Sequence, residues 1–411
     1  MVPKGWEVKS FAKLLKSGDV EKIQDGNHGD SHPKSSDFVK SGIPFVMARD
    51  LKKGTVDLEN CAYITKEQAD SLRIGFAKTG DILLSHKGTV GLVAIVPLCD
   101  EYMMLTPQVT YYRIPQDSSL MSSYLYQFLL SHEYQSRFKN LAFQSTRSYL
   151  GITAQKELSI NLPPLPEQQK IAKILSTWDK AISTTERLIE NSTQQKKALM
   201  QQLLTGKKRL LDDEGKRFEG EWKSAKLSNF VVFKNGKGHE NFVEDDGEYI
   251  VVNSKYISSD GRVVKKTNQG LNIAEKDDVL MVMSDVPNGK AIAKCFLVTE
   301  TDIYTVNQRV ALFRAKKIDP TFLYYILNRN SYYLRFDDGI TQTNLRKEEV
   351  LACPVPNICN QEQQKTATVL TNADKEIELL EQQLADLKQE KKSLMQVLLT
   401  GKKRVVVDGK D

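Results

Sequence analysis

The chain has 411 residues, of which 40% are hydrophobic and 27% charged, a composition typical of globular domains and not of disordered protein. Its net charge of +6 is compatible with nucleic-acid binding without demonstrating it. No apolar run approaches the roughly 18 residues that cross a bilayer, and the first residues lack the apolar core of a signal peptide, so we expect a cytoplasmic protein. The five cysteines form no CxxC pair, which argues against a disulfide framework or a four-ligand zinc site.

Two stretches of the chain repeat each other at a fixed distance. EQQK at residues 167–170 recurs at 362–365, and KKALMQQLLTGKKR at 196–209 recurs as KKSLMQVLLTGKKR at 391–404. Each residue of the second copy lies 195 positions after its counterpart, without a gap. Because this offset is about half the chain length, the sequence indicates an internal duplication.

Each copy of the repeat predicts a long helix with an apolar seam. Apolar residues alternate by four and three positions, Pro166 stands where a first-turn proline is tolerated, and Gly206 and Gly401 follow the last apolar positions. Both helices should run about 38 residues, or about 57 Å. The residues assigned to the coiled-coil seam are Leu175, Trp178, Ile182, Ile189, Leu199 and Leu203 in the first helix, and Leu370, Ile377, Leu380, Leu384, Leu387, Leu394 and Leu398 in the second.

The longer segments before the helices also resemble each other, though faintly. DILLS at residues 81–85 echoes DVLMV at 278–282, and both segments alternate short β-type runs with turns before ending in one or two short helices. We therefore predict a mixed α/β fold with two globular domains. The predicted boundaries are 1–160 and 207–355 for the domains, 161–206 and 356–401 for the helices, and 402–411 for a basic tail.

The order of these segments constrains how the helices pair. The first helix leaves the first domain at its N-terminal end and reaches the second domain near its C-terminal end, from which the second helix starts. If the apolar seams pair, the helices run antiparallel and hold the domains at opposite ends of a rod, related by a pseudo-twofold axis. Two similar but non-identical domains at a fixed separation suit a bipartite DNA site with half-sites one or more turns, about 34 Å each, apart.

The start of the first helix resembles a known protein family. LPPLPEQQKIA at residues 162–172, preceded by TAQKEL at 153–158, is similar to the conserved-region start of Type I restriction-modification specificity subunits, called HsdS. The resemblance extends over essentially the whole chain. It is specific because the proline-rich start, the long helix, the LLTG end and the duplication occur together. The start of the second long helix departs from this pattern, because PVPNICN stands at 354–360 in place of the usual run of prolines. No conformation is therefore predicted for that junction.

This resemblance implies two target recognition domains that each read half of a split DNA sequence. It also implies that the conserved helices dock two methylation subunits, which bring S-adenosylmethionine and methylate adenine at N6. ATP and Mg²⁺ would belong to a restriction subunit, so we expect this chain to have no catalytic site and to bind no cofactor. The expected partners are double-stranded DNA, two methylation subunits and, where the system has them, two restriction subunits, with no membrane.

Two polar loops in each copy are candidates for DNA contact. One loop comes just before each long helix, and the other is a hairpin region at an equivalent place in each copy. Amides and arginines read adenine and guanine edges, while hydroxyls and lysines position phosphates; a solvated loop without function stays open as the alternative. The candidates are Lys87, Thr89, Gln144, Ser145, Thr146, Arg147, Ser148, Asn288, Lys290, Thr341, Gln342, Thr343, Asn344 and Arg346.

Two other functions compete with DNA reading. FKNGKG at residues 233–238 imitates the Gly-rich loop of a methyltransferase, but a short GxG is weak evidence, and NLPP at 161–164 is only a misspaced likeness of the catalytic motif. The five histidines lack metal-ligand spacing with acidic residues, so no metal site is expected. A coiled-coil scaffold would explain the helices but not the two long domains.

Overall fold

The computed structural model describes residues 2–29, 32–142, 148–287 and 289–407. The chain divides into two compact units, one comprising Met1–Arg187 with Glu381–Asp411 and the other comprising Leu188–Leu380. Each unit therefore contains one globular domain and one part of each long helix. No helix in the described ranges is both long and apolar enough to span a membrane.

The first half of the chain forms the first domain, β1 to β12, and the first long helix, α6. In chain order its elements are β1 (Glu7–Ser10), α1 (Phe11–Ser17), β2 (Lys22–Asp25), β3 (Ile43–Val46), β4 (Leu51–Lys52), β5 (Thr55–Val56), β6 (Ala62–Ile64), α2 (Lys66–Asp70), β7 (Phe76–Ala77), β8 (Ile82–Ser85), β9 (Val93–Ile95), β10 (Met103–Leu105), β11 (Val109–Arg113), α3 (Ser122–Leu129), α4 (His132–Ala142), α5 (Ile152–Glu157), β12 (Ser159–Leu162) and α6 (Leu165–Leu203).

The second half forms the second domain, β13 to β23, and the second long helix, α11. Its elements are β13 (Lys223–Lys226), β14 (Val231–Asn235), β15 (Tyr249–Val252), α7 (Ser254–Ser258), β16 (Lys266–Thr267), β17 (Val279–Val282), β18 (Ser284–Asp285), β19 (Cys295–Leu297), β20 (Tyr304–Val306), β21 (Val310–Ala315), α8 (Pro320–Leu327), α9 (Ser331–Leu334), β22 (Thr343–Asn344), α10 (Lys347–Leu351), β23 (Pro354–Asn357) and α11 (Asn360–Leu398).

The two domains share one sheet topology. A four-stranded antiparallel sheet has the order β2-β11-β8-β9 in the first domain and β14-β21-β17-β19 in the second. A second sheet contains one parallel pair in each case, β3 with β10 and β15 with β20. The opening strand of each domain also pairs with the strand before the long helix, β1 with β12 and β13 with β23. The predicted mixed α/β fold and internal repeat are therefore confirmed.

The central strand of each domain is buried on both faces because it separates two apolar cores. In β8, Ile82 and Leu84 pack into the core that includes α3 and α4, whereas Leu83 packs into the core under the second sheet. Val279 and Leu280 of β17 divide between two cores in the same way. The continuous apolar runs of DILLS and DVLMV thus fit strands covered on both sides.

The long helices each have 39 residues, close to the predicted 38. In the first unit Lys391 pairs with Asp179 and Lys388 with Glu186, so the two helix segments run antiparallel there. In the second unit Lys196 pairs with Asp374, and the Ser192 hydroxyl donates to Glu376. The two helix segments therefore run antiparallel there as well. None of the apolar residues assigned to the seam is exposed, and Leu175, Leu203, Leu370 and Leu398 are fully buried.

The two long helices begin and end in equivalent surroundings, although the sequences before them differ. Gly206 and Gly401 have φ values of 71° and 72°, the left-handed conformation predicted for them after the helix end. At the second start, residues 354–357 form a strand opposite β13, as β12 does opposite β1. Pro354 and Pro356 are two residues apart, so their missing N–H groups lie on the same edge of β23, where a two-stranded sheet tolerates them.

Candidate nucleic-acid interface

The hairpin loop and the loop before the helix meet in the first domain. Lys87 forms an antiparallel bridge with Tyr149. The Gly88 amide donates to the Ser148 carbonyl at 3.0 Å, and the Leu150 amide donates to the His86 carbonyl at 2.8 Å. Two segments that are about sixty residues apart in the sequence are therefore joined side by side.

The second domain joins the corresponding loops in the same way. Strand β18 pairs with β22, with Asp285 opposite Thr343. The Leu345 amide donates to the Met283 carbonyl at 2.8 Å, which matches the bond from Leu150 to His86. The two candidate loops of each copy thus form one composite surface in each domain.

Two further segments complete this surface, which we call the four-segment face. The His86 amide donates to the Gln108 carbonyl in the β10–β11 turn, and the Met283 amide donates to the Arg309 carbonyl in the β20–β21 turn, both at 2.9 Å. The fourth segment follows β2 or β14. There the Asn27 and Lys237 amides donate to carbonyls at the ends of β10 and β20, at 2.8 and 2.9 Å.

The Gly-rich stretch after β14 has a packing role in this face. A Cβ on Gly236 would lie 1.9 Å from the carbonyl oxygen of Asn307, and a Cβ on Gly26 would lie 2.1 Å from that of Thr106. A side chain at either position would collide with the turn that the glycine contacts. The two glycines are equivalent, so close backbone approach accounts for Gly236 without a cofactor loop.

Two aspartates, the half-buried Asp285 and the exposed Asp338, organise the loops of the second domain. Asp285 accepts backbone hydrogen bonds from Val286, Ala291 and Ile292, which shapes the hairpin loop. Asp338 accepts hydrogen bonds from the Thr341 and Ile340 amides, and these bonds hold the pKa of its carboxyl below the usual range. The loop before α11 is thus held in shape by its own aspartate, with the Thr341 hydroxyl as a third donor.

The predicted contact residues differ in their exposure. Lys87, Thr89, Lys290, Thr341, Gln342, Asn344 and Arg346 are exposed, Ser148 is half-buried and Thr343 is buried. Thr343 donates to the Asp337 carboxylate at 2.9 Å, and the Gln342 amide donates to the buried Ser284 hydroxyl at 2.9 Å. Gln144, Ser145, Thr146, Arg147 and Asn288 lie outside the described residues.

Sequence reasoning missed three exposed residues of the four-segment face. Gln108 and Arg309 occupy equivalent turns, and Lys237 follows β14 beside the second of these turns. Within the described ranges, neither of the two charged side chains, Lys237 and Arg309, forms an ion pair. The sequence does contain a sign of these turns, because each one contains polar residues between two apolar strands.

His86 stands at the centre of the face in the first domain. It is 1% exposed, its Nδ1 bonds to the Leu150 carbonyl at 3.2 Å, and its Nε2 has no partner among the residues that the structure describes. The Tyr149 ring lies 5.5 Å from the imidazole and is 44% exposed. Burial lowers the pKa of His86, which favours the neutral ring. In the described part of the chain, no His, Cys, Asp and Glu side chains cluster as a metal site would require.

Comparison with known proteins gives the same assignment along nearly the whole chain. The family model described as the Type I restriction modification DNA specificity domain matches residues 3–192 and 219–389. A putative Type I restriction enzyme MjaX specificity subunit of Methanocaldococcus jannaschii is 25% identical, with 98% of this chain and 95% of the relative aligned. The MjaVIII specificity subunit of the same organism is 24% identical over 98% of this chain and 94% of its own length.

Solved structures of low sequence identity share the fold. The Type I restriction-modification S subunit of M. genitalium superposes with a TM-score of 0.59 at 16% identity, covering 97% of this chain and 96% of that one. A chain from a study of complex assembly in the type I system gives a TM-score of 0.57 at 13% identity, covering 98% and 99%. With the family model matched in both halves, this chain belongs to the family of Type I restriction-modification DNA specificity subunits.

Proposed function

We propose that this chain is the DNA sequence-specificity subunit of a Type I restriction-modification enzyme and that its two domains read the two halves of a bipartite target. The observation that carries the proposal is the four-segment face. Equivalent backbone hydrogen bonds build it in both domains, but the side chains differ at equivalent positions: His86 against Met283, and Gln108 against Arg309. The same backbone arrangement with different side chains suits two domains that recognise different DNA sequences.

The exposed side chains of the face have the chemistry that DNA reading requires. Glutamine pairs with the adenine edge through two hydrogen bonds, and arginine pairs with the guanine edge in the same way. Gln108 and Arg309 are therefore the proposed base readers, and the exposed Lys87, Lys237 and Lys290 are the proposed phosphate contacts. Tyr149 offers an exposed ring beside Lys87 in the first domain.

The subunit would act without a catalytic site of its own. Two methylation subunits would dock on the long helices and supply S-adenosylmethionine for N6-adenine methylation, and two restriction subunits would supply the ATP- and Mg²⁺-dependent steps. Support comes from the relatives that are named specificity subunits and from the similarity to a chain of an assembling type I system.

The test combines DNA binding with dependence on the methylation subunit. The purified chain should bind random-sequence duplex DNA in fluorescence anisotropy and lose affinity steeply as salt rises, because phosphate contacts release counterions. With S-adenosylmethionine and DNA it should transfer no methyl group until the methylation subunit is added. The complex should then methylate a split sequence, which methylome sequencing identifies. Methyl transfer by the chain alone, or methylation without sequence preference, would overturn the proposal.

A further inference from the structure

Charged side chains interrupt the apolar seam of the first unit at one place. Asp179 of α6 accepts one hydrogen bond from Lys391 of α11 and one from Gln127 of α3, each at 2.6 Å and each on a different carboxylate oxygen. Lys391 is 9% exposed and Gln127 is 1% exposed. One carboxylate therefore joins the two long helices and the first domain.

The second unit contains the equivalent junction. Asp374 of α11 accepts hydrogen bonds from Lys196 of α6 and, at 2.6 Å, from the hydroxyl of Tyr325 in α8. The Lys196 ammonium also lies 5.8 Å from the centre of the Tyr325 ring, within the range of a cation–π contact. Helix α8 occupies in the second domain the place that α3 occupies in the first, so both aspartates connect the same three kinds of element.

The spacing of these charges distinguishes antiparallel from parallel pairing. In each long helix the lysine follows the aspartate by 17 positions (196 − 179 and 391 − 374). Antiparallel helices bring aspartate to lysine at both junctions. Parallel helices at the same level would bring Asp179 to Asp374 and Lys196 to Lys391, which would place like charges side by side at partly buried positions. The apolar seam residues alone do not favour antiparallel over parallel pairing.

The same charges distinguish the correct register from a shifted one. A slip of one heptad leaves apolar residues facing apolar residues, but it moves each lysine about 10.5 Å from its aspartate. The side chains of Lys391 and Lys196 are 11% and 22% exposed, whereas those of Asp179 and Asp374 are 36% and 38% exposed. The lysines are therefore the charges that are costly to leave unpaired, and the pairs act mainly by penalising wrong arrangements.

We propose that Asp179 and Asp374 are positioning residues for DNA recognition. Each sets the direction and register of the helix pair and holds its own domain on that pair through α3 or α8. The proposal rests on the proposed function, since it assigns these residues to the spacing of the two half-sites and not to base contact. Their loss should relax the permitted gap while leaving both half-site sequences unchanged.

The experiment uses the full chain in complex with its methylation subunit and DNA whose gap is the preferred length, one base pair shorter or one base pair longer. The readout is the ratio of methylation rates on the preferred gap and the altered gaps. Asp179→Asn retains an acceptor for Gln127 but leaves Lys391 without a counter-charge. It should lower the ratio on the order of tenfold, and Asp374→Asn should do the same.

A charge exchange distinguishes a positioning role from a general loss of stability. In the double variant Asp179→Lys with Lys391→Asp, the pair is restored with reversed polarity. Gln127 can then rotate its amide to present Oε1, which has no partner in the described part of the wild-type chain. The exchange should return the ratio to within about threefold of wild type. Glu186→Gln is the matched control. Glu186 pairs with Lys388 across the same two helices, but the Lys388 side chain is 52% exposed, so its ammonium stays hydrated without the counter-charge and the ratio should be unchanged.

Each outcome separates this inference from the proposed function. If the wild-type complex does not methylate a split sequence, the proposed function fails. If the wild-type complex is selective for gap length and Asp179→Asn and Asp374→Asn are equally selective, the positioning role is wrong. An exchange variant that fails to regain gap selectivity, or a single variant with altered half-site sequences, overturns it as well.

Discussion

Arg209 and Glu362 form a two-point ion pair that fastens the segment after the first long helix to the start of the second. The Nε and Nη2 atoms of Arg209 lie 2.9 and 2.7 Å from the two carboxylate oxygens, and Glu362 is 1% exposed. Trp222 donates its indole N–H to the same carboxylate at 3.3 Å. In the first unit, Arg404 and Trp6 bind Glu167 in the same manner. We call each of these arrangements a clasp.

The clasp predicts a stability effect for Glu362→Gln. The variant keeps the shape of the side chain but leaves Arg209, whose side chain is 23% exposed, without its counter-charge. We expect the free energy of unfolding in urea to fall by about 2 kcal/mol. Glu214→Gln is the control, because Glu214 pairs with Lys216 with both side chains well exposed, and its loss should cost less than about 0.5 kcal/mol. Equal effects of the two variants would contradict a structural role for the clasp.

Gly236→Ala tests the packing role of the Gly-rich stretch. The added Cβ would meet the Asn307 carbonyl, so we expect a loss of about 1–3 kcal/mol in the free energy of unfolding. Gly238→Ala should be milder, since its Cβ would approach only the flexible ends of the Glu240 and Gln308 side chains, at 3.1 and 3.3 Å. A calorimetric titration with S-adenosylmethionine should detect no binding to the wild-type chain. Binding that Gly238→Ala abolishes would instead support a cofactor loop.

The duplication allowed the helices and the repeated topology to be predicted because these depend on local pattern. Apolar periodicity marks α6 and α11 within a few residues, and the run of apolar residues at 279–282 marks a buried strand. The 195-residue offset transfers the helix assignment to the other half of the chain, and the similarity of DILLS at 81–85 to DVLMV at 278–282 transfers the strand assignment.

The four-segment face could be predicted only in part. The two loops in each copy were named separately, but their pairing depends on a two-residue bridge, such as Lys87 with Tyr149, and so short a bridge leaves no periodicity in the sequence. Gln108 and Arg309 were missed because turn residues between strands are usually only solvated. The charged seam residues Asp179 and Asp374 were missed because heptad analysis follows apolar positions.

Arg309→Ala should alter the reading of one half-site. If Arg309 contacts a guanine edge, its removal should reduce discrimination at one base pair by about 1–3 kcal/mol and leave the other half-site unchanged. Lys317→Ala is the control, since Lys317 is an exposed basic residue beyond the far end of β21, about 20 Å from Arg309. Methylome sequencing of cells that express each variant with the methylation subunit gives the preference at every position. Relaxed preference in both half-sites would argue against independent readers.

His86 predicts a dependence of stability on pH. Its folded-state pKa is lowered by burial, so the unfolded chain takes up a proton that the folded chain excludes. Stability should therefore be constant above about pH 6.5 and fall as the pH drops below it. His86→Met, which introduces the residue found at the equivalent position 283, should reduce the fall in Tm between about pH 7.5 and pH 5.5. The exposed His132→Gln is the control, and an unchanged slope in His86→Met would contradict the prediction.

The helix pair is predicted to set the gap between the half-sites, and a matched insertion tests this. One heptad inserted after Ile189 and one after its counterpart Leu384 would lengthen each helix by about 10.5 Å while preserving the apolar seam. Both Lys–Asp pairs would also survive, because each pair lies wholly on one side of the insertions. At about 3.4 Å per base pair, the gap should widen by roughly three base pairs with unchanged half-sites, or methylation should be lost if the added DNA twist cannot be accommodated. Insertion in α6 alone is the control, since it leaves one Lys–Asp pair out of register and should abolish methylation.

Methylome sequencing determines the recognised sequence and gap for both variants. An active double-insertion variant that retains the original gap would refute the role of the helices in spacing.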